Sequence, residues 1–166
     1  MMMSRLRYAD LSPEGFKHLR ALSDYLTKSE FGESLLNLVY LRVSQINGCP
    51  YCVDLHWGDA RASGEDMQKL NAVVVWRETP WFSERERAAL NWAEVVTRLR
   101  DQRVSDEDYE YAKSQFTDKE LVDLTLAVAQ MNALNRITIA FHQTPVDEAP
   151  SRRPGSESHR SGRYLV

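Results

Sequence analysis

Cys49 and Cys52 are the only cysteines in the chain, and both fall in Asn47-Gly48-Cys49-Pro50-Tyr51-Cys52-Val53-Asp54-Leu55-His56, with His56 four residues after the second. A helix starting at Cys49 or Pro50 sets Cys49 among amides that have no intrahelical partner, where the helix dipole favours a thiolate. Cys52 then lies about one turn inside, and His56 one turn further along the same face. Two thiols, a helix end and an imidazole suit reversible thiol redox chemistry. Other arrangements use the same residues. A Cys/Cys/His zinc site needs a fourth ligand, and His18 and His142 lie in stretches that read as helix. The thiols can also be buried and inert. A permanent disulfide would close only a small loop and constrain the unfolded chain little.

The elements around the pair read as helices. Asn47-Gly48 ends a helix that begins near Ser34 and carries Leu35, Leu38, Val39, Val43 and Ile46, and Pro50 opens the next. Upstream, Ser12 reads as a cap with Pro13 at the first helical position, followed by Phe16, Leu19, Leu22 and Leu26. Downstream, the cysteine helix runs to Ser63-Gly64, and Glu65 to Trp76 reads as one further helix. Ser83-Glu84-Arg85-Glu86 and Thr117-Asp118-Lys119-Glu120 are capping boxes, with a short helix after Ser105 between them. The last helix, to about Phe141, is apolar around much of its circumference, which predicts a central place or cover from a neighbouring subunit. Its polar exceptions, Asn132, Asn135 and Arg136, either bond to loops and helix ends or help to shape the thiol pocket.

At 166 residues, 43% of them hydrophobic, the chain can bury a core in one domain, and a net charge of -3 gives no general pull toward nucleic acid or an anionic membrane. The N-terminus lacks the apolar core of a secretory signal, so a cytoplasmic location is expected, where most thiols are held reduced. The polar residues of the last helix argue against a membrane span. No dinucleotide fingerprint is present, and neither a cofactor nor a metal is expected. Residues 1–145 read as one all-α domain. Residues 146–166 form a polar tail whose composition is that of a disordered segment, and which we expect to be ordered on a neighbouring subunit.

Cys49-Pro50-Tyr51-Cys52 alone looks like the active-site tetrapeptide of glutaredoxins, but that site follows a β-strand, whereas here a helical stripe leads into it. The wider stretch Leu41 to His56 resembles the core motif of the alkylhydroperoxidase AhpD-like branch of the carboxymuconolactone decarboxylase superfamily. The resemblance continues through Ala60-Arg61, Gly64-Glu65, Trp76-Arg77-Glu78, Phe82 to Leu90, Trp92-Ala93-Glu94 and Asn132 to Arg136, and so spans roughly residues 11 to 145. It implies an all-α, oligomeric helical bundle. It also implies a thiol-dependent peroxidase or related disulfide oxidoreductase, in which Cys52 attacks a small organic hydroperoxide, Cys49 resolves the product as a disulfide, and His56 belongs to a proton relay. The implied reductant is a dihydrolipoyl group or a thioredoxin-like protein. Carboxymuconolactone decarboxylase-like chemistry and a non-catalytic redox-sensing oligomer are the competing functions, and the thiol pair favours redox.

Two positions depart from the pattern. The relay of this family often has a glutamate twelve residues before the first cysteine, and here that position is Asn37. An amide can orient a water or an imidazole but cannot take a proton as a carboxylate does. Glu94 or Glu86 could take over the relay, or Glu94 could be structural or face solvent. Tyr51 stands where a relay histidine is sometimes found.

Overall fold

Every residue from Leu35 to Ser44 is buried in the computed structural model, which describes residues 4–145. Ten buried residues in a row need cover on every face of a helix. The helix is α3 (Glu33–Asn47), preceded by α1 (Tyr8–Leu11) and α2 (Pro13–Leu26). After it come α4 (Pro50–Ala62), α5 (Met67–Ala72), α6 (Glu84–Arg98), α7 (Asp106–Lys113) and α8 (Asp118–Ala140), with 3-10 turns at Val73–Glu78 and Arg100–Gln102. No strand occurs among the described residues, and the fold is all-α. α4, α6 and α8 all pack on α3, and α6 also packs on α8.

α3 feeds two apolar clusters from different faces. Leu36, Val39, Tyr40 and Val43 join Cys49, Cys52, Trp92, Leu124, Val128 and Met131. Leu38 and Leu41 join Leu70, Val73, Trp76, Phe82 and Leu90. Each fully buried leucine of this kind contributes roughly 1.5–3 kcal/mol, so α3 is the element the core is built around.

The central helix is therefore α3. α8, expected to be central or covered by a neighbour, turns Leu124, Val128 and Met131 inward but leaves Val122, Leu126 and Ile139 exposed in the single chain. Both capping boxes form, at Ser83 and Thr117, and Ser105 accepts from the Asp108 amide at 3.1 Å. Ser12, expected as a side-chain cap, makes no capping bond. It ends α1, with its amide donating to the Tyr8 carbonyl at 3.0 Å, before Pro13 opens α2. The single helix expected over Glu65 to Trp76 is divided. Asp66 caps α5, and three β-branched valines at positions 73 to 75 then give a 3-10 turn with Val75 out of the helical region (φ -124°, ψ 27°). No helix among the described residues is long and apolar enough to cross a membrane. The tail at 146–166, expected to be ordered on a neighbour, lies outside the described residues.

Candidate active site

The joint between α3 and α4 is made entirely of end signals. Gly48 takes the left-handed conformation (φ 68°, ψ 35°), its amide donates to the Gln45 carbonyl at 3.3 Å, and the Cys49 amide donates to the Ser44 carbonyl at 3.1 Å. This paired arrangement terminates α3 and delivers Cys49, extended, to the N-cap of α4. Pro50 follows where its missing N–H costs nothing. The Cys49 sulfur then does what a serine or aspartate does at other N-caps, accepting from the Cys52 amide at 3.3 Å. Cys49 and Cys52 are joined as a disulfide with their Cα atoms 5.4 Å apart, and they are only 1% and 3% exposed.

α8 supplies a hydroxyl against this bond. Thr138 Oγ1 lies 3.0 Å from Cys49 Sγ and 3.4 Å from Cys52 Sγ, and is also within 3.0 Å of the Leu134 and Asn135 carbonyl oxygens of its own helix. Asn47, at the end of α3, donates to the side-chain oxygens of Asn132 (3.0 Å) and Asn135 (2.9 Å). Asn135 in turn donates to Ser44 Oγ at 3.2 Å, Asn132 donates to Thr97 Oγ1 of α6 at 3.1 Å, and Arg136 donates back to Asn132. The polar residues of α8 thus clamp the end of α3, and through it hold the joint that carries Cys49.

His56 lies on α4 one turn beyond Cys52, 2% exposed, with its ring 4.9 Å from that of Tyr40. Its Nδ1 has no hydrogen-bond partner among the described residues, and the Asp59 carboxylate approaches it only to 4.0 Å. Burial pushes the imidazole pKa down to about 3, so the ring is neutral at pH 7. Asn37 is buried in α3, and its Nδ2 likewise lacks a partner among the described residues. Tyr51 is half-buried. Burial first, then the Asp59 and Asp54 carboxylates, raise its pKa, so it stays a phenol at neutral pH.

Glu94 and Glu86 are occupied elsewhere. Glu94 Oε1 accepts from Arg42 (Nε at 2.8 Å, Nη2 at 2.6 Å) and from Trp76 Nε1 (3.0 Å), while Oε2 accepts from Arg77 (2.7 Å) and Arg98 (3.0 Å). Burial pushes this carboxyl up, but the donors from Arg77, Trp76 and Arg42 outweigh it and bring the pKa down to about 2. Such a carboxylate is too poor a base to stand in for the relay glutamate. It ties α3, α6 and the Val73–Glu78 turn together. Glu86 closes the Ser83 capping box and pairs with Lys69.

The structure thus places Cys49 at the N-cap of α4, Cys52 in its first turn and a buried His56 one turn further on, keeps Asn37 on the adjoining helix, and assigns Glu94 to a separate ion-pair node. Thr138 is the site residue that spacing did not single out. Its sequence signal is a hydroxyl three residues after Asn135 on the largely apolar second half of α8. Surface concavities of about 430 Å³ near Tyr25 and Lys119 and about 380 Å³ beside Glu94 and Arg98 are not lined by either cysteine or by His56. Among the described residues no group of three or more His, Cys, Asp or Glu is placed to hold a metal ion.

Comparison with known proteins places this geometry in a family. Residues 13–95 match the family model for carboxymuconolactone decarboxylases. The chain is 37% identical over 140 residues to the uncharacterized protein YdfG of Bacillus subtilis (strain 168), a match covering 84% of this chain and 95% of YdfG. Atu0492, a protein of unknown function from Agrobacterium tumefaciens, has a solved structure that matches with a TM-score of 0.83 at 39% identity, over 87% of this chain and all of that one. An uncharacterized peroxidase-related protein from Silicibacter sp. TM1040 matches with a TM-score of 0.72 at 26% identity, over 80% of this chain and 70% of that one.

Proposed function

The chain belongs to the carboxymuconolactone decarboxylase family, in its AhpD-like branch, and from that premise we propose that it is a thiol-dependent peroxidase acting on small organic hydroperoxides. The observation that carries the proposal is the Cys49–Cys52 pair, close enough to bond, with Cys49 capping the helix that also bears His56. The likeness to a peroxidase-related protein supports the same reading.

In this reading the reduced pair holds one proton between two sulfurs. The Cys52 thiolate attacks the distal oxygen of ROOH, an S–O bond forms, the O–O bond breaks, and the leaving alkoxide takes the remaining proton to give ROH. The Cys49 thiolate then attacks the Cys52 sulfenic sulfur, which expels its oxygen as hydroxide and, with a proton from solvent, water, and the disulfide results. An external dithiol returns two electrons and two protons and is itself oxidised to a disulfide. His56, being neutral at pH 7, has one N–H to donate and one bare nitrogen to accept, and so orients or passes protons without carrying a charge. Asn37 orients and does not take a proton. Burial of both sulfurs favours a slender dithiol, such as a dihydrolipoyl arm, over a thioredoxin-like protein that must dock its own helix end. The working form is a homo-oligomer in the cytoplasm, with neither nucleic acid nor membrane as partner.

The test is intact mass after anaerobic reduction and one equivalent of an organic hydroperoxide. Wild type should lose two hydrogens as it forms the internal disulfide. Cys49→Ser should accumulate an oxidised Cys52, and Cys52→Ser should react slowly. Equal oxidation of both single variants would defeat the assigned order of attack.

A further inference from the structure

The Thr138 hydroxyl owns one hydrogen and has four acceptors within reach: two sulfurs of the disulfide and the carbonyl oxygens of Leu134 and Asn135. A disulfide sulfur is a weak acceptor, so while the bond is closed the hydrogen belongs to one of the carbonyls, the usual back-bond of a helical threonine. A thiolate at the same place is a charged acceptor and the strongest of the four. Both sulfurs are nearly sealed from solvent, Thr138 is itself buried, and among the described residues the other recorded donor to the pair is the Cys52 amide, which serves Cys49 alone. In so dry a place an anion without donors is costly.

We infer that Thr138 is a positioning residue for the reduced pair, its hydroxyl turning from its own helix carbonyls to sulfur when the disulfide opens and so holding the pair as a monoanion. The inference rests on the redox reading of the pair but not on peroxide being the oxidant. It makes α8 part of the thiol site and gives one side chain a different partner in each redox state. Because it stabilises only the reduced form, it also makes the disulfide easier to reduce.

The experiment follows thiolate absorbance against pH in the full chain, reduced and kept anaerobic, for wild type, Thr138→Val and Thr138→Ser, with redox equilibration against a dithiol buffer at pH 8. The two thiols titrate as a pair, so the first apparent pKa is the quantity compared. Wild type should lose its first proton below the ordinary thiol value of about 8.5. T138V should raise that first pKa by about one unit, leaving roughly tenfold less thiolate at pH values below it. At pH 8 its disulfide should be favoured by up to about tenfold, or up to about 30 mV for a two-electron couple, the shift growing to that limit as pH passes both first pKa values. T138S should stay with wild type. A purely structural threonine would lower the melting temperature of T138V and leave pKa and potential in place, which would overturn the inference. So would a wild-type pair that keeps both protons up to the ordinary thiol value, a result that stands even if T138V does not fold. Loss of peroxide consumption with the pKa shift intact would fail the peroxidase reading and leave the role of Thr138 standing.

Discussion

At the scale of single residues the chemistry is set by burial. The Tyr40 ring lies against His56, the carboxylate of Asp59 on the same helix stays 4.0 Å from Nδ1, and desolvation overrides that weak attraction to depress the imidazole to about 3. The unfolded chain therefore binds more protons than the folded one between pH 6.5 and about 3, and stability falls as pH drops through that window. Glu94 acts in the same direction lower down. Its folded pKa of about 2, against 4.5 unfolded, gives stability that is present above pH 4.5 and lost as pH falls toward 2. Urea unfolding of wild type should show stability declining from about pH 6.5 and more steeply below 4.5, while His56→Asn should flatten the upper part alone. An unchanged slope between pH 6.5 and 4.5 in that variant would contradict a buried neutral His56. The placement of Cys49, Cys52 and His56 at one-turn intervals was legible in the sequence because residue spacing on one short helix fixes it. The fate of Glu94 was not, since its arginine and tryptophan partners come from α3, the Val73–Glu78 turn and its own helix, and only the tertiary fold makes them neighbours.

At the scale of elements, the site depends on how α3 stops. An alanine at Gly48 would meet no atom within 4 Å, so the cost of Gly48→Ala is the left-handed backbone alone, about 1 kcal/mol. That should lower the melting temperature by roughly 2–4 °C in a chain of this size. A much larger drop would mean that the joint tolerates less than its open surroundings indicate. Asn135→Ala should cost more, about 2 kcal/mol by calorimetry, because it removes one of the two acceptors of the Asn47 amide and the donor to the Ser44 hydroxyl at the same buried joint. A neutral result would show that the clamp from α8 does not hold α3. Helix ends were readable where side chain and backbone cap each other locally, as at Ser83 and Thr117. At Ser12 the end was placed correctly, with Pro13 opening α2, but the side chain makes no capping bond, and the end near Trp76 was misread where three consecutive valines gave way to a 3-10 turn. Asn132 and Asn135 stood out as polar residues on an apolar helix, but their partner Asn47 lies some 85 to 88 positions away and nothing local announces it.

At the scale of the whole molecule, the sequence carried the all-helical class and the family but not which helix is central. α8 read as apolar around much of its circumference and α3 as carrying an apolar stripe, yet it is α3 that is enclosed, by α4, α6 and α8, whereas α8 has an outer side. On that side Val122 and Leu126, one turn apart, are 59% and 39% exposed in the single chain. The proposed oligomer would cover this stripe, and Val122→Glu with Leu126→Glu should then lower the mass found by sedimentation while leaving the helical circular-dichroism signal in place. An unchanged mass would remove α8 from the interface. The central claim, that the buried thiol pair turns over hydroperoxide at the expense of an external dithiol, is most directly tested by mixing the full chain with excess organic hydroperoxide and dihydrolipoamide and counting alcohol formed per protein. The account predicts many equivalents of alcohol, matched one for one by lipoamide and abolished in both Cys49→Ser and Cys52→Ser. A single equivalent that then stops, or turnover that survives loss of Cys52, would contradict it.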